Sequence, residues 1–214
     1  MKNCCMMISG GAFCPLPEDV MNRAPECYLI ACDRGYAYAA RMGLTPDLVV
    51  GDFDSAPPPE TGIPVLRFPE RKDDTDTMLA ARRAAELGVR EAVICCAFGG
   101  RLDHTLANIQ TAAWLVAHGV RARLLGVDAD ALAFTAGLAR FPRREGWSLS
   151  VFALSDACEG VTIRGTKYEC ENAALTSAFP RGVSNVWTGE TAEISVRSGT
   201  LLVLQSRLAE GEHI

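Results

Sequence analysis

The sequence lacks the long apolar stretch that a membrane-spanning helix requires. No run approaches the ~18–20 residues needed to cross a bilayer. The apolar run near the amino terminus, within the segment MKNCCMMISGG, is too short for the core of a secretion signal. We therefore expect a cytoplasmic protein that makes no contact with a membrane.

Positive charge is also scarce. The chain carries 21 Lys and Arg residues against 26 Asp and Glu residues, which gives a formal net charge of −5. The basic residues form no long run, whereas a nucleic-acid-binding surface requires a basic patch or stripe. We expect no nucleic-acid partner, and an anionic ligand would have to be held by local donors or by a metal ion.

None of the nine cysteines is spaced as C-x-x-C, the pattern typical of zinc sites and redox-active pairs. Cys4, Cys5, Cys95 and Cys96 lie inside apolar runs. Unpaired thiols in such positions are typical of proteins from reducing compartments. We therefore expect free, buried thiols rather than a disulfide framework.

Two familiar nucleotide-binding motifs are absent. The chain contains no G-x-x-x-x-G-K-[ST] loop, and the segment ISGGAF is not a G-x-G-x-x-G fingerprint. We expect Gly10 and Gly11 to form a close-approach turn after the first strand, with a contact to phosphate as the weaker alternative.

The first two-thirds of the chain alternates short apolar runs with helix-like segments. Uninterrupted apolar runs indicate strands covered on both faces, as in a parallel sheet. Strands are predicted at Asn3–Ile8, Cys27–Cys32, Asp47–Val50, Pro64–Phe68, Glu91–Ala97 and Ala122–Val127, and helices at Thr75–Leu87 and Asp103–His118. This alternation predicts a doubly wound α/β domain with a mostly parallel sheet over residues 1–139.

Beyond about Arg140 the pattern changes to alternating apolar and polar residues separated by turn signals. Such alternation is typical of antiparallel sheets with one covered face. We expect a small antiparallel β-sandwich over residues 140–214, a linker near Ala139–Gly146 and a hairpin turn at Ser198-Gly199.

Four consecutive predicted strand ends carry carboxylates, and ligands of open α/β sheets bind at that edge. Helix capping explains any one group of acids but not all four together. The groups are Asp33 with Arg34 and Gly35; Asp52 and Asp54 with Ser55; Lys72, Asp73, Asp74, Thr75 and Asp76; and Gly99, Gly100, Arg101, Asp103 and His104.

Asp52 and Asp54 flank Phe53 directly after an apolar run. If the strand continues through them, its period of two directs both carboxylates to one side and Phe53 away into apolar packing. Taken alone, the pair is compatible with a helix cap, a salt-bridged surface or a cation site that relieves the repulsion.

Clustered carboxylates without histidine or thiolate partners suit a hard cation such as Mg²⁺. The Gly99-Gly100-Arg101 loop before a helix offers backbone N–H groups and a guanidinium to phosphate. His104 and Asn108 are four residues apart and would share one face of that helix. Acids for a metal beside donors for a polyphosphate predict metal-assisted phosphoryl transfer.

The segments DRG, GDFDS, KDDTD and GGRLDHTLAN, in this order, resemble those of the thiamine pyrophosphokinase family. In the second half, GTKYECENAAL and GVSN resemble its G-x-K-[WY] and Ser-Asn segments, so that the resemblance covers nearly the whole chain. It implies Mg²⁺-dependent transfer of a pyrophosphoryl group from ATP to the hydroxyl of thiamine, which gives thiamine diphosphate and AMP. It also implies a homodimer with active sites at the subunit interface.

The resemblance assigns roles to individual residues. Asp52, Asp54 and Asp76 would surround the metal and triphosphate, and Asp103 would join this catalytic set. The residues expected to contact the nucleotide are Asp33, Gly35, Ser55, Lys72, Asp73, Thr75, Gly100, Arg101, His104 and Asn108. Tyr168 would stack on thiamine, and Ser184 and Asn185 would line its pocket, with the same chain and the partner subunit as alternative sources of these residues.

Some alternatives stay open at this point. Trp187 competes with Tyr168 as the stacking aromatic, and Arg34 stands where many family members carry glycine. A metal-dependent phosphohydrolase would use the same acids, but such enzymes usually add histidine ligands, and only His104 is near. A non-catalytic nucleotide-binding module would not need so many mutually repelling carboxylates.

Overall fold

The computed structural model of the chain describes residues 2–53, 62–67, 74–212 and 214. Four residues that the sequence predicts for the site, Asp54, Ser55, Lys72 and Asp73, lie outside the described residues. The internal contacts divide the chain into two compact units, Met1–Val127 and Asp128–Ile214.

The first unit is a parallel sheet with helical connections. Its strands are β1 Cys4–Ile8, β2 Cys27–Cys32, β3 Leu48–Gly51, β4 Val65–Arg67, β5 Glu91–Cys95 and β6 Arg121–Leu125. Its helices are α1 Glu18–Arg23, a 3₁₀ turn Ala24–Glu26, α2 Gly35–Arg41, α3 Asp76–Glu86 and α4 Leu102–Ala117. The strand order is β6-β5-β1-β2-β3-β4, with every neighbouring pair parallel. The predicted α/β fold is confirmed.

The central strands are apolar because the sheet is covered on both faces. All five residues of β1 are buried, and Met6, Met7 and Ile8 have no exposed surface. Burying a side chain of this size contributes about 1.5–3 kcal/mol. Helix α3 presents Ala80, Ala81 and Ala84, all completely buried, so that it packs through small side chains.

The second unit is antiparallel. Its strands are β7 Ala129–Pro142, β8 Trp147–Ala153, β9 Ala157–Arg164, β10 Cys170–Thr176, β11 Gly182–Asn185 and β12 Thr191–Arg207. Strand β12 pairs with β7 along its length, with β9 through its first half and with β8 through its second half. The apolar residues that alternate along these strands form one core cluster, and the prediction of a β domain after the α/β domain is confirmed.

The predicted hairpin at Ser198-Gly199 is wrong, because β12 continues through it. The register of β12 against β7 shifts between Val196 and Thr200, which marks a bulge. Gly199 has φ +88°, and a Cβ at this position would lie 2.8 Å from the Cα of Cys158. A bulge bends a strand and increases its twist, so that the two halves of β12 pair with different strands.

The linker predicted at Ala139–Gly146 is also wrong for its first four residues. Residues 139–142 belong to β7 and pair with residues 191–194 of β12. The structure divides its two units between Val127 and Asp128 rather than after Ala139.

The expectation of free thiols holds for seven of the nine cysteines. Cys4 and Cys27 form a disulfide, because the two residues are direct neighbours across the β1–β2 pairing. Burial, together with the charge of Asp47, raises the pKa of Cys5 to about 12. Burial also raises the pKa of Cys95 well above its usual range, and both thiols are therefore protonated at neutral pH. In the part of the chain that is described, no helix is long and apolar enough to cross a membrane.

Candidate active site

The carboxyl ends of β1, β2 and β5 open onto a cleft of about 690 Å³. Its walls are formed by residues 9–12, 32–34, 75–77 and 99–101, together with Tyr38, His104, Ala107 and Asn108. Seven of the residues predicted to bind or act on the nucleotide line this cleft: Asp33, Thr75, Asp76, Gly100, Arg101, His104 and Asn108. Three predicted residues that the structure describes, Gly35, Asp52 and Asp103, are not among its lining residues.

The Gly10-Gly11 turn is fixed against the loop that follows β5. The backbone N–H of Gly11 donates to the carbonyl of Cys96 at 3.1 Å, and that of Ala12 donates to the carbonyl of Phe98 at 2.9 Å. A Cβ on Gly11 would lie 2.7 Å from the Phe98 carbonyl oxygen. These amides are engaged within the protein, which favours the close-approach turn over a contact of Gly11 with phosphate.

Helix α3 presents Asp76 at its first residue. Thr75 caps this helix, and its Oγ1 accepts a hydrogen bond of 3.2 Å from the N–H of Met78. A carboxylate in the first turn is stabilised by the helix dipole. The cap and the helix start thus place the side chain of Asp76 at the wall of the cleft.

The loop before α4 carries Arg101, which lines the cleft together with Arg34. Arg101 donates to Asp103 twice, from Nε at 3.1 Å and from Nη2 at 2.5 Å, and the N–H of His104 donates to the same carboxylate at 2.9 Å. The hydrogen bonds from Arg101 lower the pKa of Asp103, and those to Asp103 raise the pKa of Arg101. Asp103 thus orients Arg101 and the first turn of α4 instead of lining the cleft.

Asp33 lies beyond β2 with an uncommon backbone conformation. Its φ is +45°, a region that residues other than glycine seldom adopt. The N–H of Asp33 donates to the carbonyl of Val50 at 2.8 Å, which fixes this strained turn. Such strain often accompanies functional sites. Gly35, two residues later, packs so closely on Ile8 that a Cβ would overlap the Ile8 carbonyl oxygen.

The alternation through Asp52 and Asp54 was expected only if the strand continued, and β3 ends at Gly51. Phe53 has φ +57° and leaves the strand direction. Its ring lies 6.0 Å from the guanidinium of Arg67. Phe53 does not line the cleft, as predicted, and its apolar packing stays a prediction.

The chemistry of the cleft suits a magnesium ion. Its carboxylates come from Asp33 and Asp76, and Mg²⁺ prefers oxygen ligands that include waters and phosphates rather than a complete cage of side chains. Within the described ranges, no three Asp, Glu, His or Cys side chains gather as a metal site. The donor set therefore fits an ion held by one or two carboxylates and by its ligand, with Asp54 outside the described residues.

A second pocket, of about 270 Å³, lies in the β unit. Tyr168 is one of its lining residues and is 58% exposed, whereas Trp187 is only 7% exposed and donates from Nε1 to the Phe141 carbonyl at 2.8 Å. Of the two competing aromatics, Tyr168 is therefore the one that faces the pocket. Ser184 is exposed with φ +59°, and it is not among the lining residues.

Asn185 lines the same pocket but is 4% exposed. Its Oδ1 accepts from the N–H groups of Tyr168 at 2.9 Å and Val186 at 3.0 Å. Its Nδ2 donates to Thr166 Oγ1 at 3.0 Å and to the Tyr168 carbonyl at 2.8 Å. All four hydrogen-bonding positions of the amide are used, so Asn185 holds the backbone of Tyr168 in place. A direct contact of Asn185 with thiamine stays a prediction.

Comparison with known proteins gives a consistent result across both units. Residues 21–124 match the family model of the thiamin pyrophosphokinase catalytic domain, and residues 140–201 match that of the thiamin pyrophosphokinase vitamin B1 binding domain. The chain belongs to the thiamin pyrophosphokinase family. The predicted resemblance and enzyme class are confirmed.

Relatives of the family resemble the chain over nearly its full length. A thiamine pyrophosphokinase from Bacillus subtilis (strain 168) is 26% identical over 207 residues, which cover 94% of this chain and 97% of the relative. A crystal structure of thiamine pyrophosphokinase from Bacillus subtilis superposes with a TM-score of 0.83 at 24% identity, covering 95% and 99% of the two chains. A family member from Enterococcus faecalis gives 0.74 at 26% identity, covering 96% and 99%.

The sequence did not single out Thr77 or Tyr38, nor did it assign a role to Ser9, yet all three line the cleft. Tyr38 donates from its hydroxyl to the Gly11 carbonyl at 3.0 Å. Ser9 directly precedes the glycine pair, and Thr77 directly follows Asp76. Their position next to predicted site residues could therefore have indicated that they belong to the site.

Proposed function

We propose that this chain transfers the pyrophosphoryl group of ATP to the hydroxyl of thiamine in a Mg²⁺-dependent reaction, giving thiamine diphosphate and AMP. The observation that carries the proposal is that each unit has a pocket lined by a different kind of binding group. The cleft of the α/β unit combines carboxylates with Arg101 and a helix start, whereas the pocket of the β unit presents an aromatic face.

The nucleotide would occupy the cleft of the α/β unit. Arg101 uses Nε and one hydrogen of Nη2 for Asp103, so its Nη1–Nη2 edge is the one that can bind phosphate oxygens. The start of α4 adds backbone donors and a favourable dipole. Phosphoryl transfer requires little covalent catalysis by the protein. Positioning of the transferred group and neutralisation of its charge therefore dominate catalysis. The contacts of Gly35, Ser55, Lys72, Asp73, Thr75, His104 and Asn108 with ATP stay predictions.

Mg²⁺ would be held by Asp76, with Asp52 and Asp54 as the further ligands that the resemblance implies, while Asp33 is the other carboxylate of the cleft. When bound, the ion supplies neutralisation of charge on the phosphate oxygens. The residues of the chain provide the orientation: Asp76 from the capped end of α3, and Asp33 from the strained turn after β2.

Thiamine would occupy the pocket of the β unit, in the segment that matches the vitamin B1 binding domain. Tyr168 presents its ring there, and a cationic aromatic ligand is attracted to an aromatic face. The Asn185 hydrogen bonds hold the backbone of Tyr168 in place beside this pocket. A role for Ser184 depends on the resemblance.

We further propose a cytoplasmic homodimer in which active sites lie at the subunit interface. The resemblance supports this arrangement, and donor and acceptor must meet although their pockets belong to separate units. Sedimentation of the active protein as two chains would support the dimer, and full activity of a single chain would exclude it.

The reaction itself is tested by incubating the protein with ATP, Mg²⁺ and thiamine and separating the products. We expect AMP and thiamine diphosphate in equal amounts, with no turnover when thiamine is omitted. ADP or free phosphate formed without thiamine would instead support a phosphohydrolase. Stoichiometric nucleotide binding with no product would support a binding module.

Asp76→Asn removes the negative charge at the start of α3 while keeping the shape of the side chain. We expect kcat to fall by about 100-fold or more, the size typical of losing one electrostatic contact to a transition state. Asp74→Asn is the matched control, since Asp74 pairs with Arg82 at 2.9 Å and is not a lining residue of the cleft. Equal activity of the two variants would contradict the role of Asp76.

Tyr168→Ala removes the aromatic face of the β-unit pocket. We expect the KM for thiamine to rise by about tenfold, the loss of roughly 1–2 kcal/mol of stacking, with the KM for ATP unchanged. Tyr168→Phe keeps the ring and should stay within about threefold of the unmodified protein. Phe179→Ala removes another exposed aromatic that does not line this pocket and should leave the KM for thiamine unchanged. A rise in the KM for ATP alone would overturn the assignment.

A further inference from the structure

We propose that Ser9, Thr77 and Asn108 form a neutral hydrogen-bonded network that positions Asp76 for pyrophosphoryl transfer. None of the three side chains needs to touch a reacting atom for this role, so they are positioning residues. The inference rests on the proposed function, because it concerns where the carboxylate of Asp76 stands in the cleft.

The network joins three elements of the α/β unit. Ser9 follows β1, Thr77 is the second residue of α3 and Asn108 lies in α4. Ser9 Oγ and Thr77 Oγ1 share a hydrogen bond of 3.0 Å. Asn108 Nδ2 donates to Ser9 Oγ at 3.4 Å and to the Ala97 carbonyl, just beyond β5, at 2.8 Å. The start of α3 is thereby tied to the ends of two central strands.

The three side chains are almost completely buried, with exposures of 5% for Ser9, 5% for Thr77 and 4% for Asn108. A buried hydroxyl or amide is costly unless it is hydrogen-bonded. Thr77 is therefore held to Ser9, because at an exposure of 5% each hydroxyl has little access to water as an alternative partner. The group carries no net charge, so its role is directional rather than electrostatic.

The rest of the buried face of α3 gives little directional control. It consists of Ala80, Ala81 and Ala84, which pack closely but present smooth surfaces. Small side chains permit a helix to shift along its axis at low cost, whereas a hydrogen bond fixes a particular pair of atoms. The start of α3 is tied to the strand ends by the Ser9–Thr77 bond at 3.0 Å, and by a weaker bond from Cys32 Sγ to the Asp76 carbonyl at 3.7 Å. The shorter one, between hydroxyl groups, is the tie that we infer sets the axial position of α3, and with it Asp76, which directly precedes Thr77.

The cap at the start of α3 has a separate function. Thr75 accepts a hydrogen bond from the N–H of Met78 within the helix itself. This bond defines where the helix begins along the chain, but it makes no connection to the sheet. Displacing a reacting arrangement by about 1 Å can cost on the order of 100-fold in rate, so the tie from Thr77 to Ser9 matters for catalysis.

The test replaces Thr77 by valine, which has nearly the same shape but no hydroxyl. We expect kcat for thiamine diphosphate formation to fall by about 10- to 100-fold, while the KM values for ATP and thiamine stay within about threefold. Thr77→Ser retains the hydroxyl and should restore kcat to within about threefold of the unmodified protein. If Thr77→Val only disturbed the structure, it would change the KM values as well as kcat, and Thr77→Ser would not restore kcat alone.

Thr111→Val is the matched control. Thr111 is 3% exposed, its hydroxyl donates to the Ala107 carbonyl of its own helix at 2.8 Å, and it is not a lining residue of the cleft. Both valine variants remove one buried hydroxyl, so we expect similar small decreases in Tm. Only Thr77→Val should lower kcat. Equal kcat values for the two variants would overturn the proposal.

Ser9→Ala breaks the same bond from the other side and serves if Thr77→Val fails to fold. Because the two residues act through one hydrogen bond, the double variant should be no slower than the slower single variant. Multiplicative losses would show independent roles and would overturn the network. An unmodified protein that forms no thiamine diphosphate would refute the proposed function instead, since every comparison above is made against measurable turnover.

Discussion

The cleft depends on the position of β1 between β2 and β5 in one parallel sheet. In this register Ile8 lies opposite Ala31 on one side and Cys95 on the other, so that the three strands end almost level. Their following loops must then emerge together at one edge. Backbone hydrogen bonds between parallel strands therefore gather groups that are up to about a hundred residues apart in the chain, from Ser9 to Asn108.

A second layer of contacts fixes those loops against each other. The glycine turn donates to the carbonyls of Cys96 and Phe98, and the Tyr38 hydroxyl donates back to the Gly11 carbonyl. The hydroxyl and amide groups of the Ser9–Thr77–Asn108 network tie α3 and α4 to the same edge. Site side chains thus stand on a rigid support, as phosphoryl transfer requires when positioning supplies most of the rate. In the β unit, Asn185 gives Tyr168 comparable support.

Much of this arrangement was predictable because local signals agreed with the global fold. The uninterrupted apolar run at Cys27–Cys32 forms the buried strand β2, as predicted. The Ala-rich segment after Thr75 forms helix α3, also as predicted. The failures arose where one local signal has two structural outcomes. Ser198-Gly199 suits a tight turn and a bulge equally, and only the strands on either side of β12 decide between them. Similarly, the side chains after β3 would alternate only if the strand continued through them, whereas β3 ends at Gly51.

The remaining site features depend on distant partners. Apart from its position next to Asp76, nothing in the sequence distinguishes Thr77 from Thr111, although the hydroxyl of Thr77 bonds Ser9 beyond β1 and that of Thr111 bonds its own helix. Likewise, Trp187 is not the stacking aromatic because its side chain is buried and donates to the carbonyl of Phe141, which lies 46 residues away in the chain. Long-range packing decides these roles, and one sequence does not encode it in any short pattern.

The most direct test of the central claim is amide hydrogen exchange with a non-hydrolysable ATP analogue and Mg²⁺, in the absence of thiamine. If the cleft of the α/β unit is the nucleotide site, exchange slows at residues 75–77 and 99–104, while the pocket segment around residues 168–185 is unchanged. Protection confined to the β unit, or no protection of the cleft loops at saturating analogue, would contradict this account.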